Sequence, residues 1–247
     1  MIPKTASELD QLRHASSIAV EIMHQIEERI REGVTTQELE VVAIEGLNKA
    51  GAGSSFLQNG IFPHVIMTSV NDEIIGGIPG ERKLANGDII SVTIGVNYQE
   101  MHSKCTMSYT VGVLNERRIQ MIDDTLETLV EGLSHVRNGA RLSDISHAMQ
   151  VYFLEHEYAT PLDYSGHGIG KEFHEEPEIL NYGLGGRGCI LRTGMTFTVE
   201  PILLCGKHET ELLNNGMTLV TKDHQDACHI GHTIVVTDDG CEILTRL

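Results

Sequence analysis

The side chains best suited to chemistry in this sequence are histidines and glutamates in its second half. The segment SGHGIGKEFHEEPEI, residues 165–179, carries His167 and His174, and the segment RTGMTFTVEPILL, residues 192–204, carries Glu200. Imidazole and carboxylate groups act as acid and base in hydrolysis. Together with further carboxylates at fixed positions, they also ligate hard divalent cations bridged by a hydroxide. These residue types therefore point to hydrolytic or metal-dependent chemistry.

The cysteines suggest no structural role of their own. They form no CxxC pair, and their odd number and scattered spacing do not indicate a disulfide framework. We interpret them as free thiols rather than zinc ligands. They are Cys105, Cys189, Cys205, Cys228 and Cys241.

Charge and hydropathy exclude several classes of partner. The 247 residues carry a formal net charge of −17, from 35 acidic and 18 basic residues. This excess disfavours non-specific binding to nucleic acid or anionic lipid, which depends on basic clusters. No stretch approaches the roughly 18 unbroken apolar residues of a membrane span, and the polar N-terminal segment has no apolar core for export. We therefore expect a cytoplasmic protein without a membrane or nucleic-acid partner.

The elements that must position these residues begin with two helices. Apolar residues at helical spacing predict a first helix with Ser7 as a possible cap and Gly33 at its end. A second helix is predicted to start at Thr35. Two β-rich runs, 88–96 and 101–113, flank a short polar turn and predict a hairpin.

The second part of the chain repeats this order of helices followed by strands. Helices are predicted over 115–137 and 143–157, the latter with Ser143 as a possible N-cap. The strands predicted after them are 165–170, 195–204, 217–221, 232–236 and 242–245. The repetition indicates an α+β fold with two related halves, about 1–114 and 115–247. Because no Pro- or Ser-rich linker separates the halves, we expect a single domain over 1–247.

Three segments carry a specific family resemblance. They are SGHGIGKEFHEEPEI, RTGMTFTVEPILL and, over residues 231–245, GHTIVVTDDGCEILT. With GVTTQELE at 33–40 and NGDIISV at 86–92, in collinear order over nearly the whole chain, they resemble bacterial type I methionine aminopeptidases, members of the M24 metallopeptidases. The resemblance implies the pita-bread fold, in which two pseudo-symmetric α+β halves surround a central site.

The resemblance also implies a set of five metal ligands, of which this sequence retains two. The family's histidine corresponds to His167 and one of its glutamates to Glu200, whereas its two aspartates correspond to Thr93 and Lys104, and its second glutamate to Gly231. Two ligands alone cannot enclose a cation, so we expect no metal cofactor. If the protein were active, the family would imply two divalent cations of Co, Mn, Fe or Zn.

Lys104 suggests how such a site could persist without metal. An ammonium group repels a dication and does not ligate one unless it is deprotonated. We hypothesise that Lys104 forms an ion pair with Glu200, which would remove the cost of leaving a buried carboxylate unpaired.

The family's substrate contacts are retained only in part. His174 corresponds to the histidine that binds the scissile peptide, whereas a second substrate-contacting histidine is replaced by Gly76. Phe62 and Phe173 would keep an apolar floor in the methionine pocket, while Asn59 and Met217 would change its shape. Phe56 and Met67 are explained at least as well as core residues.

These residue correspondences predict a catalytically inactive, methionine aminopeptidase-like protein that binds a peptide N-terminus or a protein partner. His167, His174 and Glu200 would be the retained catalytic positions, although His167 and Glu200 are explained equally well by the needs of the fold. The alternative is a functioning hydrolase, either a methionine aminopeptidase with a rebuilt metal site or a metal-independent, creatinase-like enzyme. A rebuilt site made from nearby histidines and cysteines matches no standard zinc spacing; the residues considered are His102, His229, His232, Cys105 and Cys228.

Overall fold

The structure is a computed structural model that describes residues 2–113 and 116–247. The helices are α1 (Ala6–Glu27), α2 (Thr36–Ala50), α3 (Ser55–Gln58), α4 (Glu116–Ser134) and α5 (Leu142–Glu155). The strands are β1 (Gly53–Ser54), β2 (Ile66–Val70), β3 (Glu73–Ile75), β4 (Ile89–Tyr98), β5 (Met101–Thr110), β6 (Gly166–Gly168), β7 (Glu175–Ile179), β8 (Thr196–Val199), β9 (Ile202–Leu204), β10 (Thr210–Leu212), β11 (Leu219–Thr221), β12 (Ala227–His229), β13 (Gly231–Val236) and β14 (Cys241–Ile243).

Helix α1 begins earlier and ends earlier than its sequence pattern predicts. Thr5, not Ser7, is the N-cap, and its hydroxyl accepts from the backbone N–H of Glu8 while the Glu8 carboxylate accepts from the Thr5 N–H at 2.8 Å. This reciprocal capping box satisfies two backbone donors. The helix ends at Glu27, and the predicted terminator Gly33 lies beyond it in a separate turn with φ +85°.

Helix α2 and the following hairpin agree with their sequence signals. Thr35 caps α2 through a second capping box, and Gly51 ends the helix in the left-handed conformation that glycine adopts without strain. Strands β4 and β5 pair antiparallel along their whole length. The two residues between them, Gln99 and Glu100, both have positive φ, which is the geometry of a tight two-residue hairpin turn.

The structure confirms the two helices predicted in the second part of the chain, with their ends shifted by a few residues. The N-cap of α5 is Arg141, whose N–H donates to Asp144, and not Ser143. The predicted boundary between the two halves, at 114–115, lies outside the described residues. The predicted strand over 195–204 is divided into β8 and β9 around Pro201, which has no N–H to contribute to a continuous ladder.

One antiparallel sheet joins the strands from both parts of the chain. Its order is β1–β4–β5–β13–β8–β6–β7, with β2 added on β4 and β14 on β13. The junction is the pairing of β5 with β13, where Gly231 lies opposite Thr106 and His232 opposite Cys105. Side chains that are far apart in sequence therefore meet on adjacent strands.

Two aliphatic clusters hold the helices against this sheet. Ile22, Met23 and Leu39 of α1 and α2 pack with residues of β4 and β5, and Met121 and Ile145 of α4 and α5 pack with residues of β8 and β13. A third, smaller cluster is aromatic and consists of Phe56, Phe62, Met67, Ile169 and Phe173. Within the described ranges, no helix combines the length and apolarity needed to cross a membrane.

Candidate functional site

Five neighbouring strands converge on one buried polar cluster. Thr93 lies on β4, Lys104 on β5, Gly231 on β13 and His167 on β6, while Glu200 directly follows the end of β8. These strands are consecutive in the sheet, in the order β4–β5–β13–β8–β6. The structure therefore brings together all five positions that the family resemblance marks as ligand positions.

Glu200 lies at the centre of the cluster and is only 2% exposed. Its Oε2 accepts a hydrogen bond from Lys104 Nζ at 2.6 Å and another from His229 Nε2 at 3.1 Å. Its Oε1 has no hydrogen-bond partner among the described residues and lies 3.7 Å from His167 Nε2. The ion pair hypothesised between Lys104 and Glu200 is thus present in the structure.

Opposing effects set the charge of this cluster. Burial acts to raise the pKa of Glu200, but the charge of Lys104 and the hydrogen bond from His229 outweigh it and hold the pKa well below its ordinary value. Burial and the nearby Lys104 ammonium lower the pKa of His167 to about 3. The cluster at neutral pH is therefore a carboxylate paired with an ammonium, beside a neutral imidazole.

His167 is fixed by its neighbours, and its Nε2 has no hydrogen-bond partner among the residues that the structure describes. Its Nδ1 donates to the carbonyl of Gly168 at 3.0 Å, and its backbone N–H donates to Thr198 Oγ1 at 3.0 Å. Because Nδ1 carries the proton, Nε2 of the neutral ring is an acceptor. The ring of His174 lies 4.1 Å from that of His167, centroid to centroid, and burial followed by the charge of Lys104 lowers its pKa.

Neither Thr93 nor Gly231 offers a carboxylate to a cation. The Thr93 hydroxyl accepts a hydrogen bond from the Thr106 hydroxyl at 3.0 Å. Gly231 has no side chain, and a Cβ placed on it would lie 2.8 Å from Glu200 Cγ. The methylene groups of Glu200 thus occupy the space that a side chain on residue 231 would need.

The donor set does not fit the two divalent cations implied by the fold family. Such a centre needs several carboxylate oxygens besides the imidazole, whereas the cluster offers one carboxylate, and Lys104 is already bonded to it. Across residues 2–113 and 116–247, no group of three or more His, Cys, Asp or Glu side chains is arranged to hold a metal ion. The expected absence of a metal cofactor stays a prediction.

The residues predicted to line a methionine pocket divide into two pairs. Phe62 and Phe173 are buried in the aromatic cluster with Phe56, at ring distances of 6.2 and 5.5 Å from it. Asn59 is exposed and donates to the Ser55 carbonyl, and Met217 is also exposed. Phe173 also contacts the rings of His167 and His174, so the aromatic cluster adjoins the histidines. The role of these residues in a methionine pocket stays a prediction.

At Gly76 the backbone itself leaves no room for the substrate-contacting histidine of the family. Gly76 has a φ of +73°, and a Cβ on it would lie 2.2 Å from the carbonyl oxygen of Met217. The two loops are therefore packed backbone to backbone. A histidine at this position would require the loops to separate.

His229 is the one member of the cluster to which the sequence assigned no specific contact. It lies on β12, is 1% exposed, and donates to Glu200. In the sequence, His229 is a polar residue in an otherwise apolar stretch. This pattern indicates that the side chain is buried, but it does not indicate that Glu200 is its hydrogen-bond partner. The other four residues considered for a rebuilt zinc site have different surroundings. His102 bonds Ser55 and Asn97, His232 bonds Thr245, Cys105 contacts the Thr245 carbonyl, and Cys228 is buried in the second aliphatic cluster.

Comparisons with known proteins agree with this architecture. The model of metallopeptidase family M24 matches residues 10–238. The chain is 36% identical to methionine aminopeptidase 1 of Bacillus subtilis over 247 residues, covering 100% of both chains. It is 38% identical to methionine aminopeptidase of Clostridium acetobutylicum over 246 residues, covering 99% of this chain and 98% of the relative. The crystal structure of methionine aminopeptidase from Rickettsia prowazekii superposes with a TM-score of 0.97 at 35% identity, covering 100% of both chains. The predicted pita-bread fold is thereby confirmed.

Proposed function

Since this chain belongs to metallopeptidase family M24, we propose that it binds the N-terminal end of a peptide or protein in a methionine aminopeptidase scaffold without using the family's two-metal centre. Full-length similarity to methionine aminopeptidases supports the scaffold and the kind of ligand.

The observation that carries the metal-free part of this proposal is the buried ion pair of Lys104 and Glu200. The ammonium nitrogen lies 2.6 Å from the carboxylate oxygen, with side-chain exposures of 8% and 3%. A dication bound to Glu200 would have to displace this ammonium or accept its repulsion. In a site of low dielectric constant that repulsion is strong.

A functioning methionine aminopeptidase is the second candidate, and the comparisons favour it over an inactive protein. The relatives reported above are all named as methionine aminopeptidases, and that similarity gives no support to loss of activity. Were the chain active in their manner, two divalent cations would be its cofactor. The metal-independent, creatinase-like alternative has no observation of its own beyond the free Nε2 of His167 and stays a prediction, as do the cytoplasmic location and the lack of a membrane or nucleic-acid partner.

One set of measurements separates the two candidates. The purified protein is incubated with Mn²⁺, Co²⁺, Fe²⁺ or Zn²⁺, its bound metal is measured by elemental analysis, and hydrolysis of Met-Ala-Ser is followed. In parallel, binding of the same peptide is measured by calorimetry. Peptide binding without stoichiometric metal or turnover is expected. Stoichiometric metal with turnover would establish the second candidate, and failure to bind any peptide would remove the first.

A further inference from the structure

The segment in front of α1 forms one wall of a cavity beside His174. Residues 2–4 line this cavity of about 450 Å³ together with His174 and several residues next to it in sequence. His174 is exposed and also lines a second cavity of about 320 Å³, which reaches His167. A ligand that enters either cavity therefore meets His174.

Few contacts fix the ring of His174 itself. The ring packs edge to face against Phe173 at 4.7 Å and lies 4.1 Å from the ring of His167, centroid to centroid. Among the residues that the structure describes, none forms a hydrogen bond with its ring nitrogens. The position of the ring therefore follows the backbone of residues 170–175, which we call the His174 loop.

Lys4 contacts the His174 loop through Glu175, the residue after His174. Lys4 Nζ donates to both carboxylate oxygens of Glu175, at 2.7 and 2.6 Å, and the two side chains are only 8% and 17% exposed. The same carboxylate accepts from the backbone N–H of Lys171 at 3.0 Å. Glu175 thus links the end of the loop to its start, and Lys4 neutralises the carboxylate through charge-assisted hydrogen bonds.

Lys4 is anchored at its backbone and packed along its side chain. Its N–H donates to the carbonyl of Gly194 at 2.8 Å, which attaches residue 4 to the turn before β8. A Cβ on Gly170 would lie 2.3 Å from Lys4 Cε and 2.6 Å from Glu175 Oε1, so the missing side chain at residue 170 makes room for the ion pair. These contacts fix where the ammonium, and with it the Glu175 carboxylate, can lie.

The effect of Glu175 extends to His167. Glu175 pairs with Gly168 in the ladder of β6 and β7, and the Gly168 carbonyl accepts from His167 Nδ1 at 3.0 Å. Glu175 is therefore next to His174 in sequence and next to the acceptor of His167 in space. A displacement of Glu175 would disturb the supports of both rings, which line the same cavity.

We infer that Lys4 is a positioning residue for peptide binding: by holding Glu175, it keeps the His174 loop in the conformation that receives the N-terminal end of a ligand. This inference rests on the proposed function, since it concerns the same ligand and the same site. Removing a positive charge beside the cavity would by itself favour a cationic peptide N-terminus. A loss of affinity on removal of Lys4 would therefore come from geometry and not from charge.

The first measurement needs no ligand and uses amide hydrogen exchange followed by NMR. Lys4→Met should speed exchange at Lys171, whose N–H donates to Glu175, by roughly tenfold, the effect of losing about one charge-assisted hydrogen bond. Exchange in α4 should stay as in wild type. Lys49→Met makes the same change in an exposed ion pair with Glu21 and should alter neither region.

The second measurement is a double-mutant cycle on peptide affinity. Binding of Met-Ala-Ser is measured by calorimetry for wild type, Lys4→Met, His174→Asn and the double variant. Lys4→Met should weaken binding roughly tenfold when His174 is present. The loss should be less than about twofold when His174 is already replaced, because residues that act through one another are not additive.

Circular dichroism checks that the variants are folded. Should Lys4→Met not fold, Glu175→Gln makes the same comparison, because it keeps the shape of the side chain and removes the charge that Lys4 neutralises. The same faster exchange at Lys171 and the same dependence on His174 are expected for it.

The outcomes separate the inference from the proposed function. If exchange at Lys171 is unchanged in Lys4→Met, or if the loss of affinity is as large without His174 as with it, the inference is overturned while the proposed function stands. Faster exchange with unchanged affinity also overturns the inference, since Lys4 would then only stabilise the fold. If wild-type protein binds no peptide, the proposed function fails, and the exchange measurement still decides whether Lys4 holds the His174 loop.

Discussion

Lys104 Nζ and Glu200 Oε2 lie 2.6 Å apart, with the two side chains on neighbouring parts of one sheet and almost fully buried. Such pairs add little stability relative to an apolar pair, but removing one partner leaves the other charge uncompensated. The pair therefore has a specific consequence for the folded state: Lys104 takes over the neutralisation of Glu200 that a bound cation could otherwise supply.

Replacing Lys104 alone should destabilise the protein markedly. Lys104→Met leaves Glu200 as an unpaired buried carboxylate, at a cost of about 3–5 kcal/mol in the free energy of unfolding, measured by urea denaturation. The control is Lys49→Met, which breaks an exposed pair with Glu21 at 3.3 Å and should change stability by less than about 1 kcal/mol. Equal stability of the two variants would contradict the role given to Lys104.

Stability should fall as the pH is lowered from about 6.5 towards 4. Burial lowers the pKa of His232 to about 4, and burial with Lys104 lowers that of His167 to about 3, from an ordinary value of 6.5. At a pH between the ordinary value and these lowered pKa values, the two histidines bind more protons in the unfolded chain than in the folded one, so acid favours unfolding.

The contribution of His232 can be isolated by substitution. His232→Asn should reduce the slope of unfolding free energy against pH by up to about 1.4 kcal/mol per pH unit between pH 6 and pH 5. His208→Gln, which changes an exposed histidine, should leave the slope as in wild type. A slope unaffected by the His232 change would mean that this ring is protonated in the folded protein.

Restoring the family's ligands should require several changes at once. In Gly231→Glu the new Cβ would lie 2.8 Å from Glu200 Cγ, while Lys104 and His229 hold Glu200 in place. We expect this single variant to be less stable and to bind no Mn²⁺ in calorimetry. The triple variant Thr93→Asp/Lys104→Asp/Gly231→Glu should bind Mn²⁺. Binding by the single variant as tight as that by the triple variant would show that Lys104 does not exclude metal.

The loop contact at Gly76 should not tolerate a side chain. Gly76→Ala introduces a Cβ 2.2 Å from the Met217 carbonyl oxygen. Gly60→Ala has a similar positive φ, and among the described residues nothing beyond its chain neighbours lies within 4 Å of the new Cβ. Both variants bear the strain of a left-handed residue, about 1–2 kcal/mol. We expect Gly76→Ala to cost about 1–3 kcal/mol more because of the clash. Equal losses in urea denaturation would mean that the two loops separate easily.

Much of the fold could be predicted from local sequence signals. The helix start at Thr35 and the polar turn between the two β-rich runs each follow from nearby atoms, and the structure agrees. The prediction was wrong at the first cap, where Ser7 was expected and Thr5 caps the helix through its reciprocal contact with Glu8. The division of the predicted strand 195–204 at Pro201 did not follow from local signals, because β8 pairs with β13 whereas β9 pairs with β12.

The sequence by itself determined which residue types stand at the five converging positions, and so which chemical donors are available: one imidazole, one carboxylate, one ammonium, one hydroxyl and no side chain at Gly231. Only the tertiary structure decided how these groups satisfy one another. Lys104 and Glu200 are 96 residues apart, and their contact depends on the pairing of β5 with β13 and of β13 with β8. The pairing of β12 with β9 brings His229 to Glu200, and the pairing of β6 with β8 brings His167 Nε2 to 3.7 Å from Glu200 Oε1. Charge and hydrogen-bond balance in the cluster therefore depend on distance in space rather than along the chain.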